Sequence, residues 1–197
     1  MTATINASTS SGIVQTADTS GALALQSNGT TKLTVDSTGA YGQLVSGTAV
    51  ASTSGTSIDF TSIPSWVKRV TVMFQGVSTN GTSAYLIQIG SGSVTTTGYG
   101  GASSNLGSAS LTTSNYTTGF GINEGSAART NQGAMSILLL SGSTYVASGV
   151  FSQSSTTNTY LVGGQVTLGG VLDRVRITTV NGTDTFDAGS INILYEG

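Results

Sequence analysis

The sequence predicts an all-β fold, a short N-terminal β-hairpin arm followed by a β-sandwich or jelly-roll-like body. Three observations predict it. Apolar and polar residues alternate over short runs, the period-two mark of strands with one buried face. Turn residues punctuate those runs: the 197-residue chain holds 28 Gly, and Asn-Gly occurs at Asn28-Gly29, Asn80-Gly81 and Asn181-Gly182. No segment sustains a 3.6-residue apolar period, because Gly or Ser-Thr pairs break almost every window of helical length.

The arm occupies residues 1–46 in this reading. Two short strands flank Asn28-Gly29, a pair that favours the positive φ angles of tight hairpins. Leu23 and Leu25 fall on one side of the first strand, Leu33 and Val35 on one side of the second. With Ile13 and Val14 they form the candidate assembly anchor. Six such side chains gain about 2 kcal/mol each when fully buried, and a lone hairpin is marginal in water. The arm is therefore expected to bury its apolar face against sister chains, the body or another protein.

The body occupies residues 47–197. In Lys68–Phe74, Val70, Val72 and Phe74 share one face; in Ser190–Glu196, Ile191, Ile193 and Tyr195 do; in Val171–Val180, Val175 and Ile177 oppose Arg174, Arg176 and Thr178. Residues 84–89, 134–140, 145–151 and 160–168 supply further strands. The run Ile137-Leu-Leu-Leu140 suggests burial on both faces. Pro64, the single proline, reads as a corner leading into the Lys68 strand, since Pro cannot donate to a central ladder. The three Asn-Gly pairs read as hairpin turns. About eight to ten strands over Thr48–Gly197 suit a sandwich or jelly roll.

Composition narrows the function. Charged residues are 7% of the chain, against roughly 25% in ordinary soluble domains, and Ser and Thr fill about a third of positions. Disorder normally pairs low hydrophobicity with high net charge; here 37% of residues are hydrophobic and the net charge is −2. Nucleic-acid binding is not expected with 6 Lys+Arg, because phosphate neutralisation supplies most of that affinity. No apolar run is long enough for a membrane-spanning helix, and the start lacks the basic and apolar regions of a signal peptide, so neither membrane insertion nor secretion by the usual route is expected.

Chemistry is equally constrained. With 0 His and 0 Cys, no Ser-His-Asp or Cys-His nucleophile can form. Asp173, Asp184 and Asp187 are the nearest approach to a glycosidase carboxylate pair or a Ca²⁺ site. The plainer reading makes Asp184 and Asp187 turn residues and pairs Asp173 with Arg174 or Lys68. No D-x-D-x-D-G loop and no Gly-Lys-Ser/Thr loop is present, so no metal, cofactor or enzymatic activity is expected. Trp66 reads as a core or interface anchor. Tyr85, Tyr99, Tyr116, Tyr145 and Tyr160 are the candidates for sugar contact, Tyr99 and Tyr116 above all because they lie in the least regular stretch.

Three segments carry a family resemblance. GIVQTADTSGALALQSNGTTKLTVD (Gly12–Asp36) resembles a stretch recurrent near the start of tailed-bacteriophage fibre and virion proteins. TSIDFTSIPSWVKRVTVMF (Thr56–Phe74) and GVLDRVRITTVNGTDTFDAGSINILYE (Gly170–Glu196) are similar to a companion module of the same setting. Together they cover about a third of the chain, while residues 91–136 match no such pattern. The resemblance implies a virion structural protein, assembled in the host cytoplasm as a homotrimer. Its partners would be phage capsid or tail proteins, and its role capsid decoration (a cement protein), a head fibre or a short fibre held by the arm. The alternative is a receptor-binding tail fibre or tip protein that recognises a host surface glycan.

Overall fold

A computed structural model describes residues 23–27, 29–36, 39–41, 44–107, 111–122, 125–154 and 156–197. The described residues form strands and no helix, and every strand pairing is antiparallel. The chain divides into two compact units, Met1–Gln43 and Leu44–Gly197.

The described residues of the first unit form a three-stranded sheet, β1 (Leu23–Ser27), β2 (Thr30–Asp36) and β3 (Gly39–Tyr41), with β2 central. Gly29 takes φ +73° in the β1–β2 turn, the left-handed conformation that glycine adopts without steric cost. The register sets Leu23 opposite Val35 and Leu25 opposite Leu33, so the four apolar side chains share one face of the pair.

The second unit is a sandwich of two sheets. The larger, nine-stranded sheet runs in the order β11 (Leu111–Tyr116), β10 (Gly100–Leu106), β15 (Thr159–Thr167), β14 (Thr144–Gln153), β13 (Asn131–Ser141), β7 (Arg69–Thr79), β17 (Phe186–Glu196) and β4 (Leu44–Ser46), with β5 (Val50–Ala51) also on β17. The smaller, five-stranded sheet runs β12 (Phe120–Ile122), β8 (Tyr85–Ser91), β16 (Arg174–Thr179) and β6 (Ile58–Thr61), with β9 (Ser93–Val94) on β8. Residues 44–46, assigned to the arm on sequence, pair with the end of β17.

One core joins the sheets. Val70, Val72 and Phe74 of β7, Val175 and Ile177 of β16, and Ile191 and Ile193 of β17 are all buried, as the alternation predicts. Each such side chain contributes roughly 1.5–3 kcal/mol on burial. Phe74 is the hub: it meets Phe151 at 5.2 Å and Tyr85 at 6.0 Å between ring centroids, both edge-on, the geometry aromatic quadrupoles favour. Pro64 lies in the segment that carries the chain from β6 in the small sheet to β7 in the large one. Its carbonyl accepts from the Val67 N–H, and Ile63 and Val67 plug the corner.

Three expectations are corrected. Of the Asn-Gly pairs, Asn80-Gly81 and Asn181-Gly182 do not close hairpins: the first leads from β7 to β8 and the second from β16 to β17, so both cross between sheets. The asparagine side chain explains why the dipeptide also suits a crossing. Asn181 Oδ1 accepts from the Thr183 and Asp184 N–H groups at 3.0 and 3.2 Å, an Asx turn that needs no partner strand. The two crossings are also tied together, the Asn80 N–H donating to the Thr185 carbonyl and the Thr185 N–H to Asn80 Oδ1.

The leucine run is not buried on both faces. Ile137 is 1% exposed but Leu140 is 65% exposed, because β13 turns one face to the core and the other outward. The strand estimate was also low: β10 and β11 lie inside the stretch that matched no pattern. They are built mostly from Gly, Ser, Thr and Asn, which give little period-two contrast.

Candidate functional site

The tyrosines singled out on sequence turn inward, and Asp184 lies in the Asn181 turn as expected. Asp187, expected in a turn, instead lies exposed on β17, whose pairing with β7 takes it into the sheet. Tyr85, Tyr99, Tyr116, Tyr145 and Tyr160 are all buried, which corrects their reading as sugar contacts. Tyr85, Tyr99, Tyr145 and Tyr160 place their rings in the core that joins the sheets, and the hydroxyls of Tyr99 and Tyr145 bond to backbone groups. Tyr99, 3% exposed, packs edge-on against Phe120 at 5.0 Å. Its hydroxyl accepts from the Ile89 N–H at 2.8 Å and lies 3.1 Å from the Thr95 carbonyl. Burial pushes its pKa from 10.0 up to about 12. Tyr145 takes the Leu172 N–H at 3.2 Å. Tyr116 lies over Gly121, where a Cβ would fall 2.2 Å from the ring; glycine there makes room for it. Burial raises its pKa as well.

The carboxylates are engaged separately. Asp173 forms a two-point pair with Arg174, at 2.7 and 3.2 Å, and accepts the Gly92 N–H at 2.9 Å. The Arg174 bond is the main reason its carboxyl sits below the ordinary value. Asp184 accepts from the Ser83 N–H at 2.9 Å and from Asn181 Nδ2, and Asp187 from Ser78 Oγ. Among the described residues no three His, Cys, Asp or Glu side chains gather as a metal group. No helix there is long and apolar enough to cross a membrane. Trp66 is half-buried against Tyr195, with ring centroids 6.0 Å apart.

The outward faces of the two sheets hold the remaining features. On the small sheet, Arg176 makes a bidentate pair with Asp59 at 2.7 and 2.9 Å. That bond raises the arginine's already high pKa. Beside it lies an open depression of about 340 Å³, whose walls include Thr56, Gln88, Thr118, Thr178 and Asn181. Its surface offers hydroxyls and amides. Gln88 is fixed by donating from Nε2 to the Thr118 carbonyl at 2.7 Å.

On the large sheet the outward face is of another kind. Five adjacent strands, β11, β10, β15, β14 and β13, contain no charged residue. Cross-strand pairing lines up Ala134, Val150, Leu161, Ser104 and Thr113 in one row. The next row is Ser136, Ser148, Gly163, Ala102 and Asn115. Val150 is 52% exposed and Leu161 44%. They rim a depression of about 510 Å³ whose floor includes Gly149 and Ser148. Leu138, Leu140, Leu106 and Leu111 extend the apolar surface to both sides.

Sequence reading missed this face. A signal was present: no charged residue occurs between Arg129 and Asp173. Of the assembly-anchor residues, Leu23 and Leu25 are each 40% exposed and Val35 38%, with Leu33 half-buried; Ile13 and Val14 lie outside the described residues. Compared with family models, curated proteins and solved structures, the chain matches none.

Proposed function

We propose that this chain is a structural protein of a tailed-phage virion, a capsid decoration or short fibre that works as a homotrimer. Its N-terminal arm anchors it and a jelly-roll-like body projects outward. The observation that carries this reading is the first unit's open apolar face, where Leu23, Leu25 and Val35 stay about two-fifths exposed on a three-stranded sheet. Such a face needs a protein surface to complete it, and the resemblance of Gly12–Asp36 to phage virion segments supplies the setting. Trimerisation multiplies a weak arm contact through effective concentration. Buried tyrosines and separately engaged carboxylates support a structural role over a catalytic one.

Deleting residues 1–43 tests this. The expected product folds cooperatively but no longer joins particles; normal incorporation of the truncated protein contradicts the anchoring role. A second reading, recognition of a host glycan, is favoured by one observation, the hydroxyl- and amide-lined depression beside Arg176. It predicts that purified protein adheres to host cells and competes with infection. Unimpaired adsorption of particles lacking the protein contradicts it.

A further inference from the structure

We infer that the outward face of β13, β14, β15, β10 and β11 is the surface through which copies of this chain meet. The inference rests on the self-assembly reading above and names the residues that would carry it.

Three properties single out this face. The first is extent. Five strands spaced by ~4.8 Å, about nine residues long at ~3.3 Å per residue, cover roughly 24 by 30 Å. That is about 700 Å² in projection, near the ~800 Å² each partner contributes to a stable interface.

The second property is chemistry. Val150, Leu161, Leu138, Leu106 and Leu111 are exposed there among small hydroxyl and amide side chains, and large apolar side chains gathered on one face of a free chain mark an interaction surface.

The third is charge, and it selects the occupant. Where the same patch, or adjoining patches, of identical chains come together, like charges meet unless they are specifically offset. The five strands carry no charge and escape that penalty, with the Arg69–Glu196 ion pair standing at their border beside Leu138, whereas the outward face of the small sheet carries Asp59, Arg174 and Arg176. The small side chains between the apolar ones, Ala134, Ser136, Ser148 and Gly163, let a second sheet approach at the ~10 Å spacing of packed β-sheets.

A full-length Val150→Glu, Leu161→Glu double variant tests the inference by light scattering coupled to size exclusion, with circular dichroism as the check on folding. The expected result is an oligomeric wild type and a folded monomeric variant. An oligomeric wild type with a folded variant of unchanged mass overturns the interface and leaves the assembly reading standing. A monomeric wild type at tens of micromolar (order of magnitude for a moderate interface) overturns both.

If the double variant does not fold, a milder probe decides. The chain has no cysteine, so Ser148→Cys and Thr61→Cys each place one thiol, on the outward faces of the large and small sheets. Ser148→Cys is expected to react with a maleimide at least about tenfold more slowly, because labelling must await dissociation. Equal rates overturn the inference.

Discussion

The two sheets of the body share a core and differ on their outward faces. The small sheet spends its outward positions on Arg174, Arg176, Asp59, Gln88 and Thr178, each tied to a named partner. A charged side chain held in a bidentate bond on a half-exposed surface is compatible with water, and the face is complete as it stands. The large sheet spends its outward positions on Val, Leu, Ala, Ser and Gly over five strands without one charge. Ser and Gly there make the surface narrow-profiled without making it ionic. The same alternation of strand residues builds both sheets, so folding alone does not require the difference. What the second face lacks is a partner.

That contrast can be broken at several points. The largest expected effect compares neighbours on β14. Phe151 points into the core and Val150 outward. Phe151→Ala should cost about 3–5 kcal/mol of stability through the cavity it leaves. Val150→Ala should alter the stability of the dissociated chain by no more than about 0.5 kcal/mol while weakening association. Urea unfolding at low protein concentration measures both; equal losses would mean the outward face is already packed within one chain.

A smaller effect concerns Tyr99. Tyr99→Phe leaves the Ile89 N–H without its acceptor, at a cost of about 1–3 kcal/mol. It should also change the alkaline response. The folded pKa is raised from 10.0 to about 12, so the associated stability is fully present below pH 10 and is lost as pH rises toward 12. Thermal melts across that window should fall less steeply for Tyr99→Phe than for the wild type; parallel slopes would remove Tyr99 as the source.

The smallest effect belongs to the small sheet's surface. Arg176 and Asp59 are 38% and 37% exposed, and an exposed pair of that kind contributes about 0–1 kcal/mol. Arg176→Met should change the melting temperature slightly, with the change shrinking in high salt and no effect on mass in solution. A change in oligomeric state would place an interface on the wrong sheet.

Much of the fold is legible in the sequence where side chains give period-two contrast. Val70, Val72 and Phe74 flanked by Arg69, Thr71 and Met73 identify β7 and its buried face without further information, and Leu23, Leu25, Leu33 and Val35 do the same for the first hairpin. Where the contrast vanishes, so does the signal: β10 reads GGASSNL, and its place beside β15 comes from backbone pairing that any residue can make. Asn-Gly was a weaker guide than expected, because the asparagine amide organises a turn whether or not the flanking strands pair. The tight β13–β14 turn uses Gly142 at φ +56° followed by Ser143, a glycine-first turn hidden among many Gly-Ser pairs.

The candidate site was the least legible part. Tyrosine in an irregular segment suggests exposure, yet Tyr99 reaches backbone groups of β8 and β9's flank that are distant in pattern though near in space. The charge-free interval between Arg129 and Asp173 is visible in the sequence. Which of its apolar residues face outward depends on which sheet face covers the core, and that is a tertiary fact.

The central claim is that this chain is made to be assembled, and its mass in solution tests that most directly. Light scattering of the purified full-length protein should give the mass of three chains, and the Val150→Glu, Leu161→Glu variant that of one. A wild type that remains a single folded chain across the accessible concentration range would contradict the account.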